Sequence, residues 1–167
     1  IEELKKRRIV NGKTEEIYDP TAGMTRGQFS AMLVRALDLH AEKEQQFQDA
    51  KTSAFAQELQ ALVEIGVLKG DGNQLKPGAT VTRNQAALMI ERLFTYLELD
   101  LPEVSVEELN FTDIEEIPES SKKSVALMQK LGIFTGKEDG RFDPNGQLTR
   151  SQMAKVIYNA LTYAKMM

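Results

Sequence analysis

The chain has 167 residues, with 21 Lys plus Arg against 25 Asp plus Glu, a net charge of −4, 41% hydrophobic residues and no cysteine. These values fit a globular protein of one or two domains and exclude disulfides, thiolate metal sites and a cysteine nucleophile. The acidic balance, without a Lys/Arg stripe interleaved with aromatics, argues against a nucleic-acid partner, and no apolar run reaches the roughly 18 residues of a membrane span.

In chain order, Ile1 and Leu4 set a short helical phase that ends near Arg8. The chain begins without Met or a signal peptide, which reads as a piece of a larger protein. Ile9-Val10-Asn11-Gly12 then leads through a loop to Pro20. Next comes Met24-Thr25-Arg26-Gly27-Gln28, the first of three related openings; the others are Val81-Thr82-Arg83-Asn84-Gln85 and Leu148-Thr149-Arg150-Ser151-Gln152. After each Arg, apolar residues fall at +3, +6, +7, +10 and +11, as in Phe29, Met32, Leu33, Ala36 and Leu37. That spacing is one stripe of an α-helix. Thr followed three residues later by Gln predicts a capping box, so Thr25 with Gln28, Thr82 with Gln85 and Thr149 with Gln152 should start three helices.

Residues 38–46 and 98–110 are polar or acidic connectors, and Pro102 is expected to help end the second capped helix. Phe47-Gln48-Asp49-Ala50 and Phe111-Thr112-Asp113-Ile114 precede two further helical segments. These contain Leu59, Leu62 and Val63, and Val125, Met128 and Leu131. Gly66 and Gly132 follow as C-cap signals, where the first copy has Arg8. The loops then run Val67-Leu68-Lys69-Gly70 to Pro77 and Ile133-Phe134-Thr135-Gly136 to Pro144, with Asp71-Gly72 and Asp139-Gly140 as turn dipeptides. Tyr18, Leu75 and Phe142 stand two before each Pro. The repeats are therefore 1–46, lacking a front half, 47–110 and 111–167. The arginines of the capped helices lie 57 and 67 residues apart, which argues against a tetratricopeptide-like array.

Taken together, Phe111-Thr112-Asp113-Ile114, Gly132-Ile133-Phe134-Thr135-Gly136, Asp139-Gly140, Phe142-Asp143-Pro144 and Thr149-Arg150-Ser151-Gln152 resemble the S-layer homology (SLH) family repeat. The resemblance implies an all-α fold, a pseudo-threefold trimer of repeats with a central three-helix bundle and peripheral helices and loops. It implies binding of secondary cell-wall polysaccharide, commonly pyruvylated, without catalytic activity or cofactor. It also implies an extracellular place at the bacterial cell wall, with other surface-layer proteins as further partners. The family's Glu in the capping box is Gln here, and its helix-one Trp is replaced by Phe55 in the second repeat and Ser121 in the third.

Arg26, Arg83 and Arg150 occupy the first helical position, where the macrodipole mildly disfavours a cation. Two readings are open: a guanidinium beside a helix N-terminus as a carboxylate or phosphate site, or an internal ion pair with Asp49 or Asp113. Phe55, Lys69 and Lys137 complete the candidate ligand residues, and the groove at Arg83, with Phe55 and Lys69, is expected to be the most complete. Phe47 and Phe111 are expected as core anchors. Asp49 and Asp113 are expected as structural acceptors, and His40 as incidental. No metal site is expected, since EF-hand spacing is missing. A glycan hydrolase is disfavoured because three similar helical units use up the chain. The alternative function is a degenerate triplet serving as a protein-interaction or assembly domain.

Overall fold

Helix starts follow the capping boxes in a computed structural model that describes residues 1–10 and 21–167. The first Gly-to-Pro loop, including Tyr18, lies outside the described residues. Six α-helices occur among the rest: α1 Glu2–Lys6, α2 Arg26–Leu37, α3 Ala56–Glu64, α4 Arg83–Tyr96, α5 Glu119–Lys130 and α6 Arg150–Tyr163. Isolated β-bridges join loop segments, and the described residues form no strand.

In α2 and α4 the Thr25 and Thr82 hydroxyls accept from the Gln28 and Gln85 N–H, and each Gln side chain accepts from the Thr N–H. Thr149 and Gln152 exchange the same two bonds, at 3.0 and 3.2 Å. A Gln serves this box as well as a Glu, so the departure from the family pattern leaves the helix starts intact.

Helix ends are also repeated. Arg8, Gly66 and Gly132 share a left-handed backbone, with φ of 57°, 77° and 69°. After each, an N–H reaches back five residues, from Ile9 to Leu4, Val67 to Leu62 and Ile133 to Met128. This is a Schellman closure, and a glycine is favoured there because it has no Cβ to crowd the carbonyl. The capped helices stop in the same manner at Asp38, Glu98 and Lys165, with φ of 51°, 53° and 56°. Leu39, Leu99 and Met166 return N–H bonds to Val34, Phe94 and Leu161. The end of α4 is thus set at Glu98, not by the later Pro102.

The described chain divides into two compact units, residues 1–81 with 148–157, and 82–147 with 158–167. In the first, α2 packs on α3; in the second, α4 packs on α5. Leu4, Met24, Phe29, Leu33, Leu59, Leu62 and Leu75 are buried in one, and Ile90, Leu93, Phe94, Met128 and Phe142 in the other. Ala36 and Leu37 are only half-buried, because α2 ends there. Within the first unit, the segments preceding the three capped helices close a ring. Met24 N–H donates to Leu148 O at 3.1 Å, Val81 N–H to Met24 O at 2.9 Å, and Leu148 N–H to Val81 O at 3.4 Å.

Arg8 carries a left-handed cost that Gly66 and Gly132 avoid. Arg8→Gly is expected to stabilise the protein by about 1 kcal/mol, a rise of about 2–4 °C in a thermal melt. An unchanged or lower midpoint would contradict this account of the helix end.

Candidate functional site

The candidate clefts are built on the first turns of the capped helices. A helix leaves its first N–H groups without intrahelical partners. In α2 these belong to Arg26 and Gly27, and they donate to Ala79 O at 2.8 Å and Pro77 O at 3.0 Å. Arg26 Nε extends the series to Leu75 O at 2.7 Å, and its guanidinium also reaches Lys69 O at 3.1 Å. In α4 the N–H groups of Arg83 and Asn84 donate to Gly146 O at 2.9 Å and Pro144 O at 3.0 Å, and Arg83 Nε bonds Phe142 O. Each loop turns there, with Ala79 N–H returning to Lys76 O and Gly146 N–H to Asp143 O, both at 3.0 Å, and offers alternate carbonyls, at 75, 77 and 79 or at 142, 144 and 146. The third copy keeps the first contact, from Arg150 N–H to Ala22 O at 2.9 Å.

The helix ends are therefore occupied by protein carbonyls. The first N–H groups of α2 and α4 are thus not open to an anion. The Arg side chain is a third donor in the same row, which explains why a cation is kept at a position the macrodipole disfavours by a few tenths of a kcal/mol.

The other side of each loop is held by the Asp of Phe-x-Asp. Asp49 accepts from Leu75 N–H at 3.1 Å and Lys76 N–H at 2.8 Å. Asp113 accepts from Phe142 N–H at 2.8 Å and Asp143 N–H at 2.7 Å. One carboxylate thus satisfies two consecutive N–H groups at a left-handed turn, with φ of 52° at Lys76 and 58° at Asp143. These bonds fit the structural role expected for both aspartates. Phe47 and Phe111 cover the loop glycines: a Cβ on Gly70 would lie 2.6 Å from the Phe47 ring, and one on Gly136 2.8 Å from Phe111.

The grouping of the expected ligand residues needs correction. Phe55 and Lys69 do not accompany Arg83. They lie with Arg26: Lys69 O accepts from its guanidinium, and a Cβ on Gly27 would come within 2.6 Å of the Phe55 ring. Lys137 lies with Arg83, through Asp143, to which its ammonium is bound at 2.6 Å. The reason is that α2 and α4 each dock on the loop of the following repeat, so Arg83 and the loop of its own repeat belong to different clefts.

The two clefts differ in chemistry. In the loop that meets Arg26, Leu68 and Leu75 are buried, and a half-exposed Phe55 stands at the start of α3. Around Arg83 the loop supplies Phe134 and Phe142, each ring centroid 5.2 Å from the guanidinium carbon, a cation–π arrangement. Phe111 packs on Phe142 at 5.3 Å. Ser121, at the position of Phe55, is buried. Arg83 is only 8% exposed, whereas Arg26 is half-buried. Burial lowers the Arg83 pKa, opposed by the carboxylates of Asp143 and Asp113. Lys76 and Asp143 were missed as candidates by sequence reasoning. Their signal is a shared place immediately before the loop proline.

A separate cleft of about 370 Å³ is lined by Val34, Arg35, Asp38, Leu39, His40, Ala41, Gln57 and Glu58, and holds none of the expected ligand residues. His40 lies there, exposed, 3.7 Å from Asp38. Among the described residues no cluster of His, Asp or Glu is placed to hold a metal ion, and no helix is long and apolar enough to cross a membrane.

A model of the S-layer homology domain matches residues 46–87 and 110–154. The chain is 36% identical over 165 residues to an endoglucanase of Bacillus sp. (strain KSM-635), and 32% identical over 163 residues to an exoglucanase of Acetivibrio thermocellus, covering 96% of this chain in both cases. It is 25% identical over 157 residues, 92% of this chain, to an S-layer protein of Bacillus thuringiensis subsp. finitimus. It spans 17%, 15% and 19% of those proteins.

The Asp clamp makes a pH prediction. Burial alone would raise the Asp49 carboxyl, but the Lys76 and Leu75 N–H donors bring it below its ordinary 3.8. A depressed folded-state pKa contributes stability that is complete above the unfolded value and is lost as pH falls through the folded one. Asp49→Asn is expected to lower the melting temperature at neutral pH, with the difference from the parent protein closing as pH falls below the ordinary 3.8. A pH-independent difference would contradict the clamp.

Proposed function

As the chain belongs to the S-layer homology domain family, we propose that it is a non-catalytic module that anchors its parent protein to the bacterial cell wall. It does so by binding the secondary wall polysaccharide, with a pyruvylated sugar as the acidic group recognised. The observation that carries this reading is the Arg26 cleft. A guanidinium fixed by two loop carbonyls, one of them that of Lys69, opens a helix whose next residue, Gly27, lies against the half-exposed ring of Phe55. A ring can pack on a sugar face, and a preorganised guanidinium can take a carboxylate in a charge-assisted bond. Arg83 with Lys137, and Arg150, are the corresponding but unequal positions in the other clefts. The backbone ring through Met24, Val81 and Leu148 supports the threefold arrangement of repeats that this reading includes.

The test is co-sedimentation with wall sacculi that retain their secondary polymer and with sacculi stripped of it. Polymer-dependent pelleting is expected. Its absence would favour an assembly role, and loss of wall material would revive an enzymatic one. Arg26→Ala is expected to weaken polymer binding about ten- to a hundredfold, the equivalent of roughly 1.5–3 kcal/mol for a charge-assisted contact. Arg83→Ala is expected to act chiefly on stability, because it removes a buried cation from two phenylalanines and a carbonyl. Equal loss of binding in both variants at unchanged stability would contradict the ranking.

A further inference from the structure

The first unit holds a second cleft, apart from Arg26. It lies at the C-terminal end of α2, between that helix, the first turn of α3 and the connector that joins them. Its volume of about 370 Å³ falls within the roughly 300–1,000 Å³ of small-molecule sites. Helix length creates it. α2 turns out at Asp38, twelve residues after its leading arginine, and α4 at Glu98, fifteen after. Because α2 stops about a turn earlier, Leu39, His40 and Ala41 line the cleft where a helix would otherwise continue. The connector is then tied to α3: the N–H groups of Glu42 and Lys43 donate to the Glu64 carboxylate, each at 2.9 Å. The walls are therefore preformed.

The floor is the buried Val34. Among the described residues, the side chains of Arg35, Gln57 and Glu58, which line the cleft, make no hydrogen bond or ion pair. Asp38 stands 3.7 Å from the His40 imidazole, which leaves one cation, Arg35, against one carboxylate, Glu58, so neither sign of charge is selected. A guanidinium, an amide and a carboxylate together offer donors and acceptors, the set that a sugar hydroxyl, itself donor and acceptor, requires. The second unit lacks this set. Glu91 and Ser124 stand at the positions of Val34 and Glu58, eight residues after the leading arginine and eight before the C-cap glycine, and the Ser124 hydroxyl donates to the Glu91 carboxylate. There the polar groups between the helices satisfy one another.

We propose that the cleft at the end of α2 is a subsite for an uncharged sugar of the wall polymer, with Arg35, Gln57 and Glu58 holding its hydroxyls over Val34 and Leu39. The proposal rests on the anchoring reading above. Val34 lies seven residues beyond Gly27 on α2, about 10 Å along the helix axis. One polymer chain can therefore hold its acidic group at Arg26 and a later sugar here.

The test is an NMR titration of the full chain with polymer released from sacculi, before and after chemical reduction of its carboxylates. Amide shifts locate each contact. The parent protein is expected to show shifts at Leu39, His40, Gln57 and Glu58 with both forms, and shifts around Arg26 that fade with the reduced form. Binding of the reduced polymer should be indifferent to salt, which weakens charge pairing at exposed positions. Gln57→Ala with Glu58→Ala is expected to lose the cleft shifts and to weaken binding of the reduced polymer at least about tenfold. The shifts around Arg26 with intact polymer should remain. Gln57 is exposed and Glu58 half-buried, and Ala is a good helix former, so the fold is expected to survive, which thermal melting checks. Arg35→Ala, at another exposed position, supplies an independent variant with the same expected loss. Shifts confined to the surroundings of Arg26, or cleft shifts and affinity that the variants leave unchanged, would overturn the proposal alone. No shift anywhere in the parent protein would overturn the anchoring reading with it.

Discussion

The fold depends on the docking of a helix start onto alternate carbonyls of a turning loop. The first two N–H groups of a capped helix and the Nε of its leading arginine form one row of donors. The loop of the next repeat supplies the matching row of acceptors, at 75, 77 and 79 and again at 142, 144 and 146. Groups that would otherwise be orphaned at the helix end are satisfied by carbonyls that would otherwise be orphaned in the loop. A buried donor left without a partner costs about 1–3 kcal/mol, so this register is strongly fixed. The Asp of Phe-x-Asp completes it by taking two N–H groups of the same loop, one of them on the peptide unit whose carbonyl meets the arginine Nε.

Several local irregularities become consistent once this row is in place. The turn that presents Leu75 or Phe142 requires a left-handed residue, and Lys76 and Asp143 accept that conformation because their N–H groups are bound by a carboxylate. The loop glycine must lie against a ring, so Gly70 and Gly136 cannot carry a Cβ without displacing Phe47 or Phe111. Gly27 stands under Phe55 for the same steric reason, while the corresponding pair in the other unit is Asn84 and Ser121. A large residue from one helix thus meets a small one from the other in the first cleft, and two polar residues of modest size stand there in the second.

Much of this was legible in the residues. The Thr-x-x-Gln boxes, the apolar stripe and the Gly C-caps each state a local rule, and local rules survive folding because their partners are three to five residues away. Pro102 misled because the left-handed Glu98 stops α4 first. What the pattern could not supply was the pairing of an Arg with the loop of the next repeat. The arginines of successive repeats stand in identical contexts, so sequence alone gives no reason to join Phe55 and Lys69 to Arg26 over Arg83. The match between Lys76 and Asp143 was hidden for a related reason. Lys76 and Asp143 are chemically opposite, and only their common backbone position makes them equivalent.

The central claim is that the N-terminal amides of α2 and α4 are bound by the following loops, which fixes Arg26 and Arg83 against those loops. Amide hydrogen exchange by NMR tests it most directly. The first amides of an ordinary helix exchange quickly, having no intrahelical acceptor. The account predicts that Arg26, Gly27, Arg83 and Asn84 are protected to a degree comparable with the interiors of α2 and α4. Rapid exchange at these four amides, with the helix interiors protected, would contradict it.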